Sequence, residues 1–267
     1  MSSLEILLYI KIVYTIVMLS YFSILDIKYR DIPDRQVWFS LGVSILLFLA
    51  SIPLYLSTYR LLFILVHILI ALIVGPLVFY ILYLRDLIGD ADVVIASELA
   101  ILYPTPEIYN VVLVKTGLEI HIPPIIPMLL YTNLLIIVLI PVIALKNLLL
   151  HHNLYSGLKT GFFRKLVLLA TSKPVTVSQY LCMKHTYPLE ELYVENGVLK
   201  RRFKTTFSIQ EDYREHQERL RELLEKGYVS RDTVIIVTYG IPYVVPMLLG
   251  FLLFLVIGDL LFLPLLS

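Results

Sequence analysis

The 267-residue chain is 58% hydrophobic, has a mean hydropathy of +0.83 and carries charge on only 16% of its residues. A soluble domain of this length needs far less apolar sequence to build a core, so the composition excludes an ordinary soluble protein. The net charge of +1 comes without a basic arm, and we expect no nucleic-acid partner. The single cysteine, Cys182, excludes an intrachain disulfide and a CxxC zinc site.

Long apolar runs predict a multi-pass membrane protein, because a helix needs about 20 apolar residues to cross a ~30 Å hydrocarbon layer. The first run lacks a basic start and a small-residue cleavage site, which favours a retained span over a signal peptide. The fourth run is short because Pro104 and Pro106 interrupt a helix there. The predicted spans are residues 4–25, 37–56, 61–84, 92–103, 123–148 and 234–265.

The segment between the fifth and sixth spans, residues 149–233, is predicted to form a small α+β domain. Its LYVENGVLKRRF sequence is typical of a hairpin in which Asn196-Gly197 supplies the positive φ angles of a type I′ turn. The sequence SIQEDYREHQERLRELLEKG predicts a helix that begins with a capping box of Ser208 and Glu211 and stops at Gly227.

Loop charge predicts the orientation of the chain. Lys28, Arg30 and Arg85 lie in odd-numbered loops, as does the basic start of the insert, and such residues favour the cytoplasmic side. The fold predicted is a membrane all-α bundle of six transmembrane helices with a small α+β cytoplasmic insert between helices five and six. Its segments are 1–148 with spans one to five, 149–233 as the cytoplasmic domain, and 234–267 with span six.

Two aspartates mark the candidate site. Asp26 closes the first apolar run, and Asp92 opens the fourth after the turn RDLIGDAD. An ionisable group at a membrane border is costly, which makes each a candidate functional residue. Two carboxyl groups brought together share a proton, so that one can activate water while the other donates to a carbonyl oxygen. This aspartic-protease chemistry needs no metal, and the predicted topology places both groups on the cytoplasmic side.

The motif GDAD at 89–92 and the segment DIKYRDIPD at 26–34 resemble those of the type IV prepilin peptidases. The closer resemblance is to the archaeal preflagellin (prearchaellin) and prepilin peptidases, which are membrane aspartic proteases of the GxGD type. It implies that Asp26 and Asp92 are the catalytic pair. The motif and supporting residues that it implies are Gly89, Asp90, Ala91, Lys28, Arg30, Pro33 and Asp34.

Several of these residues also have simpler structural roles. Gly89 permits a positive φ angle or a close backbone approach. Lys28 and Arg30 suit topology determinants, and Asp34 suits the cap of the second span after Pro33. The acidic residues Asp31, Asp34, Asp86 and Asp90 are candidates to attract a basic leader peptide.

The resemblance also implies a substrate. These enzymes remove a short, positively charged class III signal peptide from archaellin or type IV pilin-like precursors at the cytoplasmic membrane border. Bacterial members add a methyl group and carry an N-terminal domain with cysteine pairs, which this chain lacks, so methyltransferase activity is not implied. We predict no cofactor, and His151-His152 is interpreted as a solvated pair rather than a metal site.

Two other functions fit membrane carboxylates. A proton-coupled transporter uses them as proton relays, although these aspartates lie at span ends and no inverted repeat is visible. A non-catalytic subunit of a surface-filament assembly system would tolerate their substitution. The sequence leaves the oligomeric state open, and the lipid bilayer is the partner it predicts most directly.

Overall fold

The computed structural model describes residues 3–85, 88–114, 122–156, 158, 160–205, 211–240 and 242–262. The chain divides into two compact units. Unit 1 comprises Met1–Ile136 with Pro242–Ser267, and unit 2 comprises Ile137–Ile241.

Unit 1 is built from helices. Its longer elements are α1 (Ser3–Tyr29), α2 (Asp34–Thr58), α3 (Leu61–Leu72), α4 (Val78–Tyr83), α5 (Asp90–Leu102), the first part of α6 (Ile125–Ser156), and α10 (Val244–Ile257). A π-helical turn over Ile73–Leu77 joins α3 to α4, and short 3₁₀ turns cover Pro106–Asn110 and Leu260–Phe262.

Four helical stretches within the described residues are long and apolar enough to cross a membrane. They are Ser3–Tyr29, Asp34–Thr58, Leu61–Tyr83 and Ile125–His151. Length and composition therefore identify a multi-pass membrane protein. The helix α10 is apolar but shorter, at 14 residues.

The expected start of the sixth span is wrong. Residues 234–239 form a β-strand that belongs to unit 2, and the helix begins only at Val244. The reason is that a short run such as VIIVTY is apolar and β-branched, so it suits a buried strand as well as a membrane helix. Hydrogen-bonding partners elsewhere in unit 2 decide between these alternatives.

Buried polar side chains connect the helices of unit 1. The Lys11 ammonium in α1 donates to the Tyr55 hydroxyl of α2 at 2.6 Å and to the Leu102 carbonyl of α5 at 2.9 Å. Lys11 therefore faces the interior of the bundle. Hydrogen bonds to two neighbouring helices take the place of the water that its ammonium group loses on burial.

Glycines allow close approach of helices in the same unit. A Cβ atom at Gly75, in the π-helical turn, would lie only 2.7 Å from the Ala100 Cβ of α5. A Cβ atom at Gly250, in α10, would lie 2.3 Å from the Thr132 Oγ1 and 2.7 Å from the Thr132 backbone nitrogen in α6. Small residues at such crossings are typical of packing between membrane helices.

Among its described residues, unit 2 contains the rest of α6, three further helices and two small sheets. Its elements are α7 (Phe162–Thr171), β1 (Lys173–Thr176), α8 (Val177–Tyr180), β2 (Thr186–Pro188), β3 (Glu190–Glu195), β4 (Val198–Phe203), α9 (Tyr213–Glu225) and β5 (Val234–Tyr239). The first sheet is antiparallel with strand order β1-β5-β2, and β3 pairs with β4 in the second.

The predicted hairpin is confirmed. Glu195 pairs with Val198 across the turn, and Asn196 and Gly197 have φ angles of +53° and +76°, as a type I′ turn requires. The predicted helix is confirmed in its final turns, because Gly227 has a φ angle of +74° just after the α9 C-cap.

The start of α9 differs from the prediction. Its N-cap is Asp212, which accepts a hydrogen bond from the Arg214 N–H at 2.9 Å, so the helix does not begin at the predicted cap with Glu211 as its third residue. Ser208 itself lies outside the described residues. An aspartate directly before a charged helical run is an equally good cap, and sequence spacing alone did not favour it over serine.

Unit 2 buries a carboxyl group at the junction of its sheets. Glu190 Oε1 accepts a hydrogen bond from the Ile236 N–H at 2.6 Å, and Arg201 lies 3.4 Å from Oε2. Burial raises the pKa of Glu190, and the Arg201 charge and the Ile236 N–H oppose that rise. The folded protein therefore holds this proton more tightly than the unfolded chain does.

We expect the stability of unit 2 to fall as pH rises through the raised pKa of Glu190. The contribution is fully present below the ordinary glutamate pKa of about 4.3 and is lost progressively between that value and the raised pKa of the folded protein. In Glu190→Gln the neutral amide cannot ionise, so hydrogen-exchange protection of the Ile236 amide should decline less with pH. The exposed Glu195→Gln is the matched control and should behave like the wild type. Equal pH slopes in all three proteins would contradict this assignment.

Candidate active site

Asp26 lies in the last turn of α1. The Arg30 N–H donates to the Asp26 carbonyl at 3.1 Å, and Arg30 has a φ angle of +56°, which ends the helix. The half-buried Asp26 carboxylate faces the start of α10, because its Oδ2 accepts from the Val244 N–H at 3.4 Å. The unpaired N–H groups and positive dipole end of a helix favour such an anion.

Asp92 is the third residue of α5, and Gly89 is the N-cap of that helix. The Gly89 N–H donates to Asp92 Oδ2 at 3.0 Å, which fixes the carboxylate over the first turn. Gly89 has a φ angle of −77°, so the positive φ considered for it is not adopted. A Cβ atom there would lie 3.5 Å from Asp92 Oδ2, an ordinary contact distance.

The fold of unit 1 places the two aspartates near one another. Asp26 and Asp92 interact electrostatically, and Asp92 also interacts with Tyr243 beside the start of α10. Asp90 differs from its neighbour, since it is exposed and its Oδ1 accepts from the Ala91 N–H at 2.8 Å. Of the two aspartates in GDAD, Asp92 is the more enclosed.

The supporting residues of the first loop occupy varied positions. Lys28 is exposed, with its ammonium 5.0 Å from the centre of the Tyr29 ring. Arg30 is half-buried and interacts electrostatically with Asp26.

The predicted cap of α2 is wrong. Pro33 occupies the N-cap position, and Asp34 is the first helical residue, without a side-chain capping bond. Pro33 has a ψ angle of 127°, outside the helical range, so α2 begins at the next residue, Asp34. The Asp34 charge still lies in the first turn, where the helix dipole favours it. Asp86, another candidate for leader binding, lies outside the described residues.

Sequence reasoning did not assign a role to Tyr243. Its hydroxyl donates to Asn133 Oδ1 at 3.2 Å, and its ring lies edge-on to Phe79 with 5.8 Å between ring centres. It directly precedes Val244, which contacts Asp26. The signal available was the proline-flanked segment IPYVVP at the start of α10.

An apolar groove of about 350 Å³ opens beside Tyr243 in unit 1. Val78 and Phe79 of α4 line one side, and Leu129 and Leu130 of α6 line the other. Asn133 also contributes to the lining, with the Tyr243 side chain near it. The groove therefore joins an apolar surface to Tyr243, which interacts electrostatically with Asp92.

Sequence reasoning also missed a buried carboxyl group within the helices of unit 1. Glu98 of α5 is fully buried and accepts hydrogen bonds from Ser40 and Ser44 of α2, the latter at 2.8 Å. The Ser40 backbone carbonyl also accepts a hydrogen bond from the Tyr14 hydroxyl of α1. The signal was a lone glutamate in the apolar run VVIASELAIL, with two serines spaced one helical turn apart in α2.

Removing the Glu98 carboxyl group should weaken the contact between α2 and α5. Glu98→Ala leaves two buried serine hydroxyls without their acceptor, which should lower the free energy of unfolding by about 2 kcal/mol. Glu98→Gln keeps an acceptor oxygen and should lose less. Thermal unfolding in lipid nanodiscs measures both. The triple variant Glu98→Ala, Ser40→Ala and Ser44→Ala should be more stable than Glu98→Ala alone. If it is not, the unpaired serine hydroxyls do not cause the loss of stability.

Two family models match the chain. Residues 13–145 match the type IV leader peptidase family, and residues 164–260 match the archaeal peptidase A24 C-terminus type II. The first match includes both Asp26 and Asp92, and the second covers most of unit 2 together with α10. Among curated proteins, none matches the chain significantly.

Proposed function

The chain belongs to the type IV leader peptidase family, and on that premise we propose that it is an aspartic endopeptidase acting through Asp26 and Asp92. The observation that carries the proposal is the proximity of these two carboxyl groups, with Asp26 facing the start of α10. Membership of the family makes the chain a membrane peptidase. We propose in addition the aspartic mechanism and the two catalytic residues.

The proposed reaction is direct attack of water on a peptide carbonyl. One carboxylate removes a proton from the water, and the protonated partner donates to the carbonyl oxygen. The tetrahedral intermediate then collapses, the C–N bond breaks, and the leaving amine takes up a proton. A backbone N–H contacts Oδ2 of each aspartate, from Val244 on Asp26 and from Gly89 on Asp92. We assign the water and the substrate to the Oδ1 atoms.

The proposed substrates are archaellin or type IV pilin-like precursors with a class III signal peptide. The family implies pilin-like precursors, and the site suits a cut between a basic leader and an apolar helix. Exposed carboxylates of Asp31, Asp34 and Asp90 would attract the leader. The groove beside Tyr243 offers apolar surface next to the proposed site of cleavage. The proposed activity is peptide hydrolysis alone, without methyl transfer.

The proposal includes six spans and a cytoplasmic insert. The short helices α5 and α10 would be the two further spans, each about 20 Å long at 1.5 Å per residue. Basic residues at Lys28, Arg30 and Arg85 favour a cytoplasmic location for the loops that flank Asp26 and Asp92. The insert, residues 149–233, would then be cytoplasmic as well.

The test is cleavage of a tagged archaellin precursor by the full chain in lipid nanodiscs. We expect a product whose new N-terminus begins at the apolar helix, as read by mass spectrometry. A precursor in which the basic residues of the leader are replaced by glutamine should be cut more slowly. An intact authentic precursor after prolonged incubation with folded protein would contradict the proposal.

A further inference from the structure

Helix α7 carries an exposed aromatic pair. Phe162 and Phe163 are 81% and 79% exposed, and Leu166 is 48% exposed. Spacings of three and four residues place these side chains on one face of the helix. Leu168, almost opposite that face, is fully buried and packs with Tyr155 in a small cluster of unit 2. One side of α7 is thus bound to the protein, and the other presents large apolar groups outward.

Hydrogen bonds hold the end of α7 against α6. The Asn147 side-chain amide donates to the Leu169 carbonyl at 2.7 Å and to the Ser172 carbonyl at 2.6 Å. The Tyr155 hydroxyl also lies 3.0 Å from Ser172 Oγ. Asn147 belongs to the last turns of the candidate span Ile125–His151. The contacts therefore hold α7 beside the end of a helix that crosses the membrane.

The composition of α7 suits a membrane border. Two adjacent phenylalanines in water would leave a large apolar area hydrated, whereas the boundary between headgroups and acyl chains accommodates aromatic rings. Arg164 and Lys165 follow the two phenylalanines directly, with Lys165 on a flank of the apolar face and Arg164 farther round the helix, and long basic side chains at such a border reach lipid phosphates. A soluble partner protein would have to compete with lipid for this face, because the face lies beside the bilayer and lipid is always present there.

We infer that α7 is an interfacial anchor, lying along the membrane surface with Phe162, Phe163 and Leu166 between the lipids. The partner is the lipid bilayer itself. This anchor holds unit 2 to the membrane at a second point, in addition to α6. The inference stands independently of peptidase activity.

Fluorescence quenching by brominated lipids tests the anchor. Trp38 is the single tryptophan of the chain, so Trp38→Phe provides a background for new tryptophans. In nanodiscs holding one protein each, Phe163→Trp should lose at least half its emission when the acyl chains are brominated. The matched control is Val198→Trp, at a 61% exposed apolar position on β4 of the same unit, which should lose far less.

Equal quenching at positions 163 and 198 would overturn the inference, as would weak quenching with a water-exposed emission maximum. Quenching that appears only when two proteins share a disc would assign the face to a second copy instead. If Phe163→Trp fails to fold, an environment-sensitive dye on Phe162→Cys in a Cys182→Ser background replaces it. A blue-shifted emission in the nanodisc is then expected, and an emission like that of the free dye in water refutes the anchor.

Discussion

Asparagine at position 26 or 92 is expected to reduce precursor cleavage by about 1000-fold or more, because general acid–base catalysis by one positioned group contributes 10²–10⁴. An asparagine keeps the size of the side chain but can neither remove a proton from water nor share one with its partner. The double variant should be no slower than either single variant, since the two groups act as a unit. Initial rates with a tagged precursor in nanodiscs measure all three.

Asp90→Asn is the matched control for Asp92→Asn. Both residues lie in the first turn of α5, but Asp90 is exposed and bonds to the neighbouring Ala91 N–H. We expect its variant to keep the cleavage rate within about threefold, since a surface charge contributes little beyond substrate attraction. Full activity in Asp92→Asn, with loss in Asp90→Asn, would move the catalytic role to Asp90. Activity in all variants would favour a non-catalytic assembly subunit.

Gly250→Ala is expected to destabilise the protein by about 1–3 kcal/mol, as overpacking does in a close-packed interior. The added methyl group would lie 2.3 Å from Thr132 Oγ1 and 2.7 Å from the Thr132 nitrogen. A backbone atom cannot rotate away, so α10 must shift from α6. Because α10 starts at Val244, beside Asp26, cleavage should also slow. Thermal unfolding and cleavage rates in nanodiscs measure the two effects.

Gly42→Ala supplies the comparison. Gly42 also lies within a helix, α2, but a Cβ atom there meets nothing within 4 Å. That substitution should be neutral or slightly stabilising, since alanine restricts the unfolded chain. Adding Thr132→Ala to Gly250→Ala removes the hydroxyl contact but keeps the backbone contact, so rescue should be partial. Equal melting temperatures for Gly250→Ala and Gly42→Ala would show that α6 and α10 can move apart at Gly250 without a measurable loss of stability.

Structure was predicted correctly from the sequence where a hydrophobic pattern was long or where a turn required specific residues. Long, mainly apolar runs identified α1 and α2, and Asn196-Gly197 identified the hairpin. The short run at 234–239 was misassigned because a mainly apolar run of six residues suits a strand or a membrane helix equally well. Pairing with β1 and β2, which lie far away in sequence, decides the outcome.

The candidate site was predictable in its aspartates but not in its surroundings. Asp26 and Asp92 stood out because charge at a span border is rare. Tyr243 and Val244 reach the site only through the packing of α10 against α1, and no local pattern reports that contact. Glu98 was overlooked for a related reason, since its serine partners lie on a different helix.

The bonds of Lys11 have a consequence for how the protein is made. A helix with a lysine well inside its apolar stretch enters the bilayer at a penalty of about 3 kcal/mol when it enters alone. The acceptors that relieve this penalty, the Tyr55 hydroxyl and the Leu102 carbonyl, emerge from the ribosome later. The first helix therefore reaches its final position only after α5 has been synthesised, so insertion and folding of this half of the chain are one coupled event.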